Sequence, residues 1–288
     1  MGDPRQQRLA ALALFFGASI WGLYWVPLRE LNRMGLQGSW AVAFFNFCPL
    51  IILLPMVALR WRMVMRRPWP AAFIGAASGI GLGLYSTSII LAPVIRMTME
   101  FYLTSIWSTI IGVLWLSERL DMRRVLSVAL GLTGLFLLLS GGQASGAGAL
   151  TLGDAMALAS GVLWAFGAAG IKRWPEAPVI VTSAFQFLFA VGIAVLLGVL
   201  MLPTPAPTAA QLTHALPIAF LASNLLLLPS VFAIFWACRV LYPGRAAILM
   251  MSEAVVATLS ASWFLPDEVM SPVQWTGAAI VLLACLLG

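Results

Sequence analysis

The chain has 288 residues, 62 % hydrophobic and only 9 % charged, with a mean hydropathy of +1.00, far from the balance of a soluble globular domain. A net charge of +6 would suit nucleic acid, but the basic residues stand in short connections between long apolar stretches, and that placement argues against such a partner. The only histidine, His214, lies in a connection, which rules out an HExxH zinc site and speaks against a Ser–His dyad; no metal cluster and no cofactor are expected, and no enzyme chemistry.

A bilayer core takes about 20 apolar residues per helix. Spans of that kind are predicted at 9–28, 39–59, 70–92, 94–117, 123–141, 152–171, 178–202, 211–237, 244–265 and 271–288. The first span runs into Arg29 and Arg33 with no small-residue cleavage site, so a signal peptide is not expected. With the N-terminus inside, the cytoplasmic segments hold Arg5, Arg8, Arg60, Arg62, Arg66, Arg67, Arg119, Arg123, Arg124, Lys172, Arg173, Arg239 and Arg245, thirteen of the sixteen basic residues. Both termini are therefore expected in the cytoplasm, in a multi-pass protein of the cell's inner membrane. Cys48, Cys238 and Cys285 fall within spans and read as small apolar packers. Lipid and a small-molecule solute are the expected partners of a monomer.

The second half of the chain repeats the first. Trp21 and Trp164 are 143 apart, and Phe45-Asn46-Phe47 meets Phe185-Gln186-Phe187 at an offset of 140. Pro93 meets Pro243 and Glu118 meets Glu268 at 150, the offset growing through the Pro-rich insert PTPAPTAAQLTH (203–214). Five spans per half is an odd number, so the halves, 1–146 and 147–288, should insert in opposite senses. Inverted repeats of this kind mark secondary transporters, with the solute near the midplane between them. The expected fold is all-α and membrane-integral: ten transmembrane helices in two inverted five-helix repeats around a central cavity.

SIWG (19–22), WLSERLDMRR (115–124) and FLPDEVMSPVQWTGAAIVLLACLLG (264–288) resemble the drug/metabolite transporter superfamily in its ten-helix EamA-like branch. The likeness spans the whole chain. Within the branch, Trp21, Trp164 and EFYLTSIWSTIIGVLWLSER (100–119) look most similar to YddG-type aromatic amino-acid exporters. Many members place a basic residue in the second helix, where this chain has Asn46 and, in the repeat, Gln186, a departure that disfavours a strongly anionic solute.

At 100° per residue, Arg96, Glu100, Leu103, Thr104 and Trp107 share one face of the fourth span. Arg96 and Glu100 read either as an i,i+4 pair at the interface or as charges beside a wet cavity. Shifting that face by 150 reaches Glu253 on the ninth span, about eight residues beyond Arg245 and so roughly 12 Å deeper; it is either a neutral packing residue or part of the site. Trp40, Trp61, Trp69, Trp174 and Trp275 are interfacial by position, whereas Trp21 and Trp164 are deep and either line the cavity or fill the core. Gly75, Gly79 and Gly83 on the third span mark close helix packing. For an aromatic amino acid, Trp21, Trp164 and Trp107 would supply apolar faces and cation–π attraction. Glu253 or Glu100 would pair the ammonium, with Tyr85, Thr104, Asn46 and Gln186 at the polar end. Lipophilic cations, or phosphorylated sugars and nucleotide sugars, are the alternative solutes.

Overall fold

The structure, a computed structural model, describes residues 3–66, 68–91, 94–119, 121–140, 151–200, 204–264 and 270–287. It is 87 % helical, with no strand among the described residues. In chain order the helices are α1 (Pro4–Trp21), α2 (Trp25–Arg33), α3 (Ser39–Leu59), α4 (Trp61–Arg66), α5 (Pro68–Leu91), α6 (Val94–Tyr102), α7 (Thr104–Leu116) and α8 (Met122–Leu139). They continue as α9 (Leu152–Arg173), α10 (Val179–Leu200), α11 (Ala209–Ala222), α12 (Leu228–Val240), α13 (Pro243–Met250), α14 (Ser252–Phe264) and α15 (Pro272–Leu287). Among the described residues, six helical stretches are long and apolar enough to cross a membrane: Pro4–Arg33, Ser39–Leu59, Leu152–Arg173, Val179–Leu200, Ala209–Val240 and Pro243–Phe264. Leu59, Leu114, Trp263 and Leu286 are each at least 80 % exposed, an arrangement suited to lipid and unfavourable in water.

Three of the expected spans are divided. The first breaks at residues 22–24 between α1 and α2, the fourth at Leu103 and the ninth at Met251. The eighth carries a π turn, Ser223–Leu227, where the Leu228 amide donates to the Ser223 carbonyl. Pro229 follows and has no N–H to continue the α pattern, which accounts for the widened turn at this point. Two helix starts are capped as sequence dictates: Thr151 and Asp154 form a capping box on α9, and Thr208 and Gln211 form another on α11.

The packing exchanges under a swap of halves. α1 lies along α12, α13 and α14, as α9 lies along α5, α6 and α7; α3 packs on α10, and α8 on α15. Small residues permit these approaches. A Cβ on Gly134 would stand 2.9 Å from the Gly277 carbonyl oxygen, so α8 and α15 cross with backbones touching. Gly75, Gly79 and Gly83 on α5 all face α10, at Phe185, Gln186 and Ile193, as their spacing predicts. The divided fourth and ninth spans are also pinned alike. Thr104, first residue of α7, donates its hydroxyl to the Gly161 carbonyl of α9 at 2.7 Å, and Ser252, first residue of α14, donates to the Phe15 carbonyl of α1 at 3.0 Å. Glu268 and the boundary between the expected halves at 146/147 lie outside the described residues.

Candidate functional site

Where α1, α5, α6, α9, α10, α12, α13 and α14 converge, they leave a small central cavity of about 30 Å³, room for a water or two in this closed arrangement. Its apolar surface comes from the rings of Trp21, Tyr85, Phe101 and Trp164, with Leu82, Ile234 and Met250. Tyr85 and Phe101 lie against each other, centroids 4.5 Å apart and planes at 36°. The polar side chains on the lining are Glu253 and Gln186, and among the described residues no Lys or Arg lines it.

Glu253 is 8 % exposed and occupies the first turn of α14, just past the break. The Tyr102 hydroxyl donates its one proton to the Met250 carbonyl at 3.1 Å and stands beside the Glu253 carboxyl, so one buried tyrosine touches both sides of the break. Gly22 of the SIWG motif closes the site from the α1 side. A Cβ there would sit 2.6 Å from the Glu253 carbonyl oxygen and 2.7 Å from the Ala257 nitrogen, both backbone atoms that cannot swing aside. Gly22→Ala should therefore lower thermal stability in detergent by about 1–3 kcal/mol, the usual range for overpacking. Gly192→Ala, where a Cβ meets nothing within 4 Å, should be neutral or stabilising. Equal melting of the two variants would show that the α1–α14 approach is not tight.

Of the residues expected at the site, Trp21, Tyr85, Trp164, Gln186 and Glu253 are brought together on the cavity. Asn46 is fully buried elsewhere, its amide nitrogen donating to the Tyr24 hydroxyl at 3.3 Å and the Val42 carbonyl at 2.8 Å. Thr104 spends its hydroxyl proton on Gly161 and is 2 % exposed. Trp107 is 38 % exposed and does not line the cavity. The break at Leu103 is the reason: a face extrapolated at 100° per residue from Glu100 does not carry across it. Glu100, on α6, is partly buried and not on the lining; the side chain of Arg96 lies outside the described residues. Phe101, Tyr102, Leu82, Ile234 and Met250 were not singled out from sequence as site residues. Met250 had the only signal, sharing the ninth-span face with Glu253.

Toward the end of α9 a shallow cleft too small for a water lies between Ile74, Ile171, Thr182 and Phe235. It is closed by a reciprocal clasp. Lys172 donates to the Arg239 carbonyl at 3.2 Å and to that of Val240, at the C-terminus of α12, and lies 4.7 Å from the Tyr242 ring centroid. Arg239 in turn donates to the Ala177 carbonyl. Cations at the carbonyl ends of helices are the favourable polarity.

The EamA-like transporter family model matches residues 8–140 and, a second time, 151–287. The chain belongs to the EamA-like transporter family. It is thus a membrane-embedded, multi-pass transporter of small solutes with a two-repeat architecture, and the family's members are transporters, not enzymes. Twenty-one chains of solved structures match it. One is a crystal structure 19 % identical in sequence, with a TM-score of 0.74 over 96 % of this chain and 95 % of the other, a likeness that shows the fold. No curated protein matches the chain.

Proposed function

We propose that this transporter exports small amphipathic metabolites, aromatic amino acids foremost, from the cytoplasm by alternating access around the central cavity. The observation that carries the reading is the chemistry of that cavity: four aromatic rings, one carboxylate and one amide, with no cation among the described residues of the lining. Glu253 pairs an ammonium, and Trp21 and Trp164 offer π faces to the ring and to the charge. The lining equally favours a second class, lipophilic cations, since such a solute needs only the carboxylate and the rings. A phosphorylated sugar would lack a basic partner there. Uptake by proteoliposomes of labelled L-tryptophan, an organic cation and a sugar phosphate separates the three. Tryptophan should be taken up best, and uptake of the sugar phosphate alone would overturn the proposal.

The same reading has ten crossings in two inverted halves, 1–146 and 147–288, in a monomer of the inner membrane with both termini cytoplasmic. The thirteen basic residues on one side support that orientation. Since Cys48, Cys238 and Cys285 are buried, a single cysteine placed at Gln211 gives a clean accessibility signal. It should react with an impermeant maleimide from outside intact cells. Labelling only after the cytoplasmic face is opened would reverse the orientation and the direction of transport.

A further inference from the structure

The two repeat-related amides of this chain have different fates. Asn46 on α3 spends its amide nitrogen on the Tyr24 hydroxyl and the Val42 carbonyl, and only its Oδ1 is left without a partner. Gln186 on α10, its counterpart at an offset of 140, is 1 % exposed, lines the cavity, and has a hydrogen-bond partner at neither its Nε2 nor its Oε1. A buried amide of this kind is unfavourable unless something completes it. Its backbone position is fixed by Gly79, which brings α5 against the Gln186 carbonyl, so the side chain is held at the cavity wall by the packing of α5 and α10. Trp21, on the same lining, likewise has its indole Nε1 buried with no partner. The cavity thus holds two buried donors without an acceptor, Gln186 Nε2 and Trp21 Nε1, together with the Glu253 carboxylate.

We infer that Gln186 is the specificity-determining residue for the solute's carboxylate: its Nε2, with Trp21 Nε1, donates to that group while Glu253 takes the ammonium. The inference rests on the amino-acid reading above and sharpens it, because it separates a zwitterion from the corresponding bare amine. A lipophilic cation needs Glu253 and the rings but gives Gln186 nothing to donate to.

The test compares L-tryptophan with tryptamine, which keeps ring and amine and lacks the carboxylate, as substrates of the full chain in proteoliposomes. Wild type should prefer L-tryptophan. Gln186→Glu replaces the donor by an anion, and L-tryptophan uptake should fall about 10-fold or more relative to tryptamine, as expected for losing a hydrogen bond to a charged group. Gln186→Leu should shift the ratio in the same direction by less, and it decides the matter if the glutamate variant does not fold. Equal losses for both solutes would assign Gln186 a packing role and overturn the inference. A wild type that carries tryptamine and not L-tryptophan would overturn it in favour of the cation reading. A wild type that carries neither would overturn the inference and the proposed function together.

Discussion

Glu253→Gln should insert and fold like the wild type and lose transport by about 10- to 100-fold, the effect of removing one charge-assisted hydrogen bond to the solute. The physical reason lies in the placement of the carboxylate. A charged side chain at the centre of a bilayer costs roughly 2.5–3.5 kcal/mol on insertion scales, and the described residues lining the cavity around Glu253 offer rings and an amide but no cation to offset it. The substitution keeps shape and removes charge, so the Tyr102 hydroxyl retains a partner and the break at Met251 retains its pin through the Met250 carbonyl. Transport should be read over a pH series. If Glu253 also hands a proton across, the wild-type rate varies with pH and the variant's does not. A variant with wild-type rate and wild-type pH profile would make Glu253 a structural residue.

The second large effect is expected far from the cavity and in stability alone. α7 ends at Ser117, whose φ of 53° puts it in the left-handed region, and the Glu118 amide then closes back on the Gly112 carbonyl at 3.0 Å. This turn folds the Glu118 side chain over Gly112, where a Cβ would collide with it, and into an ion pair with Arg124 of α8. The carboxylate is nearly fully buried while the Arg124 side chain keeps 17 % of its surface exposed. Removing one partner of a buried pair costs about 3–5 kcal/mol, and the lower end applies because Arg124 keeps some contact with solvent. Glu118→Gln should therefore melt earlier in detergent yet transport normally per folded molecule. Adding Arg124→Gln should recover much of the loss, since no buried charge is then left alone. A full melting temperature in the single variant, or lost transport with melting unchanged, would contradict this account.

These two glutamates show what could be read from the chain before its structure. Long apolar runs announced helices, and the Gly75, Gly79 and Gly83 spacing announced a contact face, because periodicity reports burial directly. Trp21, Trp164, Gln186 and Glu253 were legible through depth and repetition, and they do share one cavity. Breaks were not legible. Leu103 and Met251 are ordinary helix formers, and their interruptions arise from contacts made by distant residues, Thr104 with Gly161 and Tyr102 with Met250. An unbroken helical wheel therefore carried Trp107 and Thr104 to the site, while the structure turns the first outward and spends the second on α9. Asn46 lies off the cavity for a related reason. Its repeat mate met a cavity, whereas Asn46 met the Tyr24 hydroxyl, and sequence symmetry has no term for that difference. Phe101 and Ile234 carry no signal that separates a cavity wall from any other apolar neighbour.

The most direct measurement is protection at the cavity itself. In a background with Cys48, Cys238 and Cys285 replaced, Leu82→Cys places one thiol on the lining beside Trp21, Trp164 and Glu253. A small water-soluble thiosulfonate should modify it in proteoliposomes, and L-tryptophan should slow that modification in a saturable manner, with the protection lost in Glu253→Gln. A thiol modified at the same rate with and without L-tryptophan, in a protein that still transports it, would show that the solute passes elsewhere.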